Sequence, residues 1–479
     1  MLHVICDYQM SPIDYTTTEN LVQDGLLECR RLFTRSVTDI PKYSTLEKIR
    51  EDSPGFLREC FKAHKAALRL LIDGILHLEN LLAQTDAANA PNSRKTETAK
   101  LGYWKHLLEL CFNTFVWVAV GLDKSNVRKV FKGPKYGDLA QQNIQSVLAY
   151  VSEVNKDPNA IAIPLDFCSF APICDIHKTS YSEGDNALHS AFIEAKSGRV
   201  NYEMLETIGA GTMDAYFRFF DTYGGNGIKQ MERFFRQSMM AERSLELVNA
   251  EPGVYETPAN PKEHLEILAN EAQVYHFADK VARLLEKASR NEFAVDQVDD
   301  CLVLGAINTE DENMLMLGEF DLRLYVYHSF INPSTLDGTP YPKDLHAILD
   351  TIKLVDWREG FSSVVLEPIM MRDIPDQYLT DLLFGRRILK LCFNPQRFVA
   401  LCNDNGIEAD LTSTRETSRL RSSGFAKECG DFDGQLIRFS LGDLSWIFAD
   451  GAFHEMLFNW VHPTSVIEQI KQSRFSREQ

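Results

Sequence analysis

The segment PICDIHKTSYSEGDNALHSAFIEAKSGR, Pro172 to Arg199, sets carboxylates and an ammonium group where one short hairpin would gather them. Gly184-Asp185 stands between two alternating runs, and glycine at the first central position suits a two-residue type II′ turn, which needs φ > 0 there. That turn opposes Asp175 to Glu194, and the period of two along a strand puts Lys196 on the same side as Glu194. Opposed residues of an antiparallel pair lie about 4.5–5.5 Å apart, so two carboxylates there repel unless a cation sits between them. Mg²⁺ (or Mn²⁺) is the natural guest: it binds hard oxygen ligands, keeps waters, and can activate one of them for attack on phosphorus. The expected chemistry is metal-dependent phosphodiester hydrolysis, with Asp175 and Glu194 holding the metal and Lys196 holding or deprotonating the water.

Neighbouring groups are weighed against this set. Asp185 also precedes Glu194-Ala195-Lys196 but falls in the turn, so it ranks second. His177 shares the face of Asp175 and Glu194, while His189 points the other way; a single histidine on a half-buried strand is more often a hydrogen-bonded packing residue than a proton shuttle. A Glu-x-Lys alone is common on salt-bridged surface edges. Here the apolar lead-in Ala191-Phe192-Ile193, the Ser197-Gly198 exit and the matching Asp175 add to it.

The elements that must position these groups follow from periodicity. Leu21 to Gly121 is helical, with apolar residues three and four apart and a loop from Thr85 to Lys100. Asp138 can cap a helix running to about Asn155. Three strands come next, Ile161–Phe167, Ile173–Thr179 and Leu188–Ala195. The chain turns helical from Met204, breaks at Gly224 to Gly227, and resumes from Ile228 to Leu247. Further elements are a helix over Lys262 to Ala288, a strand over Cys301 to Ile307, helices near Pro342 to Leu354 and Asp376 to Asn403, and a hairpin from Gln435 to Leu441 and Leu444 to Ala449.

This constellation resembles the PD-(D/E)XK, or restriction-endonuclease-like, nuclease superfamily. The acidic residue of that family's second strand matches Asp175, between Ile173 and Ile176, and its Glu-x-Lys matches Glu194-Ala195-Lys196. Cys174 rather than a proline precedes Asp175, with Pro172 further back. The family core runs helix, strand, strand, strand, helix, strand, the order read between Asp138 and Ile307, roughly a third of the chain. The resemblance implies a central mixed sheet flanked by helices and metal-dependent cleavage of nucleic acid. It also implies a polar residue from the first helix, for which Gln141, Gln142 and Glu153 are candidates, and phosphate contacts from the helix after the motif. Gln230, Arg233 and Gln237 lie three and four residues apart there, with a solvated helix face as the bland alternative. The aromatic runs FRFFDTYGG and ERFFRQ could stack bases, although their spacing fits a helix core better.

Composition bounds the rest. At 479 residues and 44% hydrophobic, the chain is long enough for two or three cores. Its formal charge of −18 argues against a coat of nucleic acid, so polyanion contact must be local. Lys124, Arg128, Lys129, Lys132 and Lys135 form such a cluster, with Lys132 and Lys135 singled out as nucleic-acid contacts. The ten cysteines are scattered and read as reduced core residues. The apolar run Cys111 to Leu122 is far short of the roughly 20 residues a membrane helix needs, and MLHVICDYQM carries no secretory pattern, so a cytoplasmic protein without membrane partners is expected. His454-Glu455 lacks the second histidine of a zinc-protease helix, having Phe458 in its place. Gly209-Ala210-Gly211 lacks the third glycine of a dinucleotide fingerprint, and no phosphate-binding Gly-x-x-x-x-Gly-Lys-Ser/Thr loop exists.

The sequence therefore predicts an α/β (α+β) protein in three regions: helical over 1–122, nuclease-like over 123–310, and an α+β accessory region over 311–479. The expected function is a Mg²⁺-dependent endonuclease with DNA favoured over RNA, in the manner of a regulated antiviral-defence or repair effector. A homo-oligomer or protein partner would be met through the helical amino-terminal region or the carboxy-terminal region. The alternative is a nuclease-fold scaffold that binds nucleic acid or a protein without cleaving; a helical adaptor with an incidental hairpin is a third reading.

Overall fold

The computed structural model describes residues 15–35, 42, 45–86, 93–119, 141–168, 174–193, 199–248, 253–256, 264–267, 274–291, 293–309, 312–331, 354–362, 366–422, 434–441, 444–448 and 450–475. They form two compact units, Met1–Ile267 with Pro368–Met371, and Leu268–Glu367 with Arg372–Gln479. This division differs from the boundaries at 122 and 310 read from the sequence. Helices and small antiparallel sheets make the protein α+β.

The first unit opens with α1 (Tyr15–Arg35), α2 (Leu46–Glu51), α3 (Ser53–Asp86) and α4 (Ser93–Ala119). Val22, Leu26 and Cys29 on α1 and Leu68, Leu71, Ile75 and Leu78 on α3 recur every three or four residues and are buried, which turns one stripe of each helix inward. α4 is apolar nearly all round between Leu107 and Trp117, and it packs against both α1 and α3. Ser93 to Lys100, expected in a loop, is helical, in keeping with the helix preference of its Arg, Lys, Glu and Ala residues.

α5 (Gln141–Val154) leads into a meander of β1 (Ala160–Pro164), β2 (Ile176–Ser182) and β3 (Ala187–Ile193). Val147 and Val151 of α5 pack on Ala162 and Ile176, with Val154 and Ile193 at the margin. Asn155 then closes the outer edge of β1: its side chain accepts the Ala162 N–H at 2.8 Å and donates to the Ala162 carbonyl at 3.2 Å. Residues Leu165–Phe167, expected to continue the first strand, form a 3₁₀ turn beyond Pro164.

β2 and β3 pair antiparallel from Ile176 opposite Ile193 to Ser182 opposite Ala187, the register read from the sequence. The turn differs. Four residues, Glu183 to Asn186, lie outside the strands, and the positive φ falls on Asn186 (55°) instead of Gly184. Asparagine tolerates this conformation, and its side-chain carbonyl accepts the Tyr181 hydroxyl at 2.6 Å.

α6 (Arg199–Ala210) and α7 (Met213–Val248) follow, with Met204, Phe219 and Met231 buried between them. α7 breaks at Gly224, whose φ of 54° and ψ of −139° only glycine adopts readily. β4 (Gly253–Glu256) and β5 (His264–Ile267) pair with each other, so β5 occupies part of the expected helix over Lys262 to Ala288.

In the second unit, α8 (Ala278–Asn291) precedes β6 (Phe293–Val298) and β7 (Leu302–Asn308), joined by a tight turn at Asp299 and Asp300, both with positive φ. α9 (Glu312–Val326) follows, and β8 (Val355–Asp356), α10 (Asp376–Leu383) and β9 (Arg387–Phe393) come later in the chain. The strands assemble in the order β6-β7-β9-β8. β7, expected to complete the nuclease-like sheet, thus lies at the centre of a separate one. Every described strand pair is antiparallel, where a mixed sheet was expected. β9 interrupts the expected helix over Asp376 to Asn403, which resumes as α11 (Pro395–Asp404) after an Asn394 cap. A second sheet joins β10 (Glu408–Leu411) to the β11 (Ile437–Leu441) and β12 (Leu444–Ile447) hairpin, matching the hairpin read there. α12 (Thr414–Ser422), α13 (Asp450–Phe458) and α14 (Pro463–Phe475) complete this unit. The expected helix near Pro342 to Leu354 lies outside the described residues, apart from Leu354 itself. Among the described residues no helix is long and apolar enough to cross a membrane.

Candidate functional site

Asp175 stands immediately before β2, half-buried, and its carbonyl accepts the Leu165 N–H at 2.9 Å. This bond carries the β1–β2 ladder one step past Pro164 and fixes the backbone from which the Asp175 side chain projects. Glu194 and Lys196, the other two members of the expected set, lie outside the described residues, as do Lys132 and Lys135. Among the described residues, no group of three or more His, Cys, Asp or Glu side chains could hold a metal ion. Of the expected metal-holding pair, Asp175 is the member whose placement is described.

His177 shares the Asp175 face and is 4% exposed, opposite Ile163 on one side and Phe192 on the other. Its ring centroid lies 5.0 Å from that of Phe192. Burial pushes its pKa from 6.5 down to about 4, so the imidazole is neutral at physiological pH. It behaves as a packing residue.

The loop end of the hairpin carries charge instead. Asp185 contacts His189 at 2.7 Å across an exposed surface, and hydrogen bonding from Ser182, followed by the His189 contact, holds its carboxyl below the usual range. Arg58 of α3 donates to the Asn159 side chain at 2.8 Å and also pairs with Glu183. Glu153, a candidate from the first helix, is exposed and paired with Lys156. Gln141 and Gln142 begin α5.

Gln230 is half-buried on α7 and Arg233 is exposed. The flanking aromatics separate by environment: Phe219 is 4% exposed and in the core, whereas Phe217 is 64% and Phe235 43% exposed. Sequence periodicity favoured a core role for the whole set, so the outward pair was missed. Its signal was the surplus of apolar residues beyond what one buried stripe of a helix needs.

The second unit holds a denser polar centre that sequence reading also missed. Arg372, 5% exposed, donates to the Asn459 and Phe458 carbonyls, each at 3.0 Å, and to the Asn459 side chain at 2.9 Å. The guanidinium lies 4.9 Å from the Trp460 ring centroid and 3.6 Å from Glu367. His276 donates from Nδ1 to the same Asn459 carbonyl at 3.0 Å when that nitrogen carries the proton. Burial lowers the Arg372 pKa, partly offset by Glu367. These bonds tie the α13–α14 connection to the segment after Glu367, a structural task. No family model, curated protein or solved structure matches the chain.

Proposed function

We propose that the β2–β3 hairpin is the catalytic element of a metal-dependent nuclease, with Asp175 and Glu194 as metal-holding carboxylates, Lys196 positioning the attacking water, and DNA as the first substrate to test. The observation that supports this reading is the strand register. Ile176 opposes Ile193, Asp175 directly precedes the first, and Glu194-Ala195-Lys196 directly follows the second in sequence. The helix–strand–strand–strand–helix order from α5 to α6 agrees with it. A divalent cation bound there supplies charge neutralisation at phosphorus and a more acidic water. The chain's own contribution is to orient Asp175 through the Leu165 bond and to keep the neutral His177 ring packed beside the same face. Exposed Arg233, with Gln230, Lys132 and Lys135, would contact phosphates, a local role compatible with a net charge of −18.

The test is cleavage of labelled DNA and RNA by the full chain with Mg²⁺, Mn²⁺ or EDTA. Asp175→Asn and Lys196→Ala should each lower the metal-dependent rate by about 100-fold or more. Equal cleavage by wild type and both variants would overturn the assignment. The second reading, a scaffold that binds without cleaving, draws on the three-stranded sheet, which gains no fourth strand among the described residues. Calorimetry separates the two: a nuclease takes up Mn²⁺ in a manner that Asp175→Asn abolishes, and a scaffold does not.

A further inference from the structure

α12 is short, polar and rich in arginine. Arg415, Arg419 and Arg421 stand among its nine residues, and Thr417 is the one that is buried. Polar contacts rather than an apolar stripe hold the helix in place. Ser413 caps the first turn by accepting the Glu416 N–H at 3.2 Å, and the Thr417 hydroxyl donates to the Ser413 carbonyl at 3.1 Å. The Thr412 and Thr417 hydroxyls meet at 2.8 Å, and Arg438 of β11 donates to Glu416 at 2.7 Å.

These contacts fix which way the helix faces. At about 100° per residue, Glu416, Thr417, Leu420 and Arg421 fall on the inner arc, and each is buried or half-buried. Arg415, Ser418, Arg419 and Ser422 share the outer arc, within about 100° of one another, and all four are exposed. No carboxylate interrupts that outer face. The acids beside the helix, Asp410 on β10 and Glu416, are both engaged by Arg438. Neither Arg415 nor Arg419 has an ion-pair partner among the described residues. The serine hydroxyls turn back onto the helix, Ser418 to the Thr414 carbonyl at 2.9 Å and Ser422 to the Arg419 carbonyl at 2.8 Å. Two guanidiniums therefore stand above small, satisfied neighbours.

We infer that the outer face of α12 is a docking surface for the phosphate backbone of nucleic acid. Arg415 and Arg419 lie one helical turn apart, about 6 Å along the axis, and the planar guanidinium fork matches a phosphate through two parallel hydrogen bonds. The face offers no apolar side chain, which insertion into an anionic membrane or a protein-binding hot spot would need. A chain of net charge −18 repels a polyanion over most of its surface, so binding is confined to faces of this kind. Contacts to phosphate alone carry no base information and weaken steeply with salt. This surface goes beyond the hairpin chemistry: it holds nucleic acid whether or not the hairpin cleaves it.

The test is fluorescence anisotropy of the full chain with labelled single- and double-stranded DNA in EDTA, between about 50 and 200 mM NaCl. EDTA stops metal-dependent cleavage, so binding is read apart from the hairpin. The dissociation constant is expected on the order of 1–100 µM, whatever the base sequence. Arg415→Ala and Arg419→Ala should each weaken binding about five- to tenfold and reduce the slope of log affinity against log salt by about one. Their circular dichroism spectra should match wild type, because both side chains face solvent. Arg419→Lys, which keeps the charge, should keep the wild-type salt slope, and Lys62→Ala, at an exposed lysine of the first unit, should change affinity by less than about twofold. A wild type that binds no DNA at about 100 µM overturns the proposal, as do alanine variants that bind with wild-type affinity and salt slope. Preference for polyglutamate over DNA, lost in the same variants, would overturn it in favour of an acidic protein partner. Asp175→Asn should bind as wild type does. A chain that cleaves DNA yet ignores both alanine variants keeps the nuclease reading and loses this one; a chain that binds through α12 without cleaving does the reverse.

Discussion

β3 and β7 have equal length and opposite surroundings. β7 is buried along Leu302 to Ile307, flanked by β6 and β9 within its sheet and packed by both α8 and α9. Its contacts leave so little room that a Cβ on Gly305 would stand 2.5 Å from Leu322. β3 is half-buried or exposed throughout, and β2 is its one partner among the described residues. Burial in the β1–β2–β3 sheet declines strand by strand, since all of β1 is buried and β2 in part. A strand enclosed on both faces leaves no surface for a solvated substrate. A sheet that opens towards one edge can hold polar groups within reach of water, and half-buried Asp175 lies just past the end of its β1–β2 ladder.

The strongest way to break this contrast is to truncate one leucine in each strand. Leu304→Ala removes a fully buried side chain from β7 and should cost about 2–5 kcal/mol of stability in denaturant unfolding. Leu188→Ala, at a residue 53% exposed on β3, should stay within about 0.5 kcal/mol of wild type. Amide exchange should rank the strands alike, with β7 the more protected. Equal costs at the two sites would mean that β3 is covered in solution.

A smaller, pH-dependent effect sharpens the comparison. His177 carries a folded pKa of about 4 against 6.5 for the ordinary side chain, because burial disfavours the imidazolium. Above pH 6.5 both folded and unfolded states hold it neutral, and the full stability is present. Between 6.5 and about 4 the unfolded chain binds the proton and the folded one does not, so stability falls as pH falls, by about 3 kcal/mol over that window. His64, stacked on Phe33 at 4.6 Å and also pushed to about 4 by burial, adds in the same direction within the same unit. His177→Leu should flatten the slope between pH 6.5 and 4 without abolishing it, as measured by urea titration at each pH.

Legibility in the sequence follows the same physics. The β2–β3 register was readable because two alternating runs meet at turn residues, and a two-residue or four-residue loop gives the same opposition. The turn type was not, since glycine and asparagine both accept positive φ and only the Tyr181 contact favours Asn186. β9 was read as helix because Ile388, Leu389, Leu391 and Cys392 fit a helical stripe as well as a buried strand. The Asn394-Pro395 pair, an N-cap with proline at the first turn, marked where the helix begins. The apolar run of β7 announced a strand, yet periodicity cannot say which sheet receives it. Asp175 was legible as a candidate because its neighbours fix a face. The outward flank of α7 was not, because burial of one aromatic rather than the next depends on where α6 packs.

The smallest expected effect lies at the open end of the same sheet. Arg58 reaches from α3 to the Asn159 side chain at 2.8 Å and pairs with Glu183 in the hairpin loop. With side chains 40% and 62% exposed, this ion pair forms in high dielectric and is screened by salt, so Glu183→Ala should cost about 0.2–1 kcal/mol. Arg58→Ala removes the Asn159 bond as well and should cost more, towards about 1–1.5 kcal/mol. A double-mutant cycle isolates the ion pair, and its coupling should shrink between about 50 mM and 1 M NaCl. A coupling above about 2 kcal/mol that ignores salt would show that the loop end is sealed from water, and the decline in burial from β1 to β3 would then no longer mark this sheet as open.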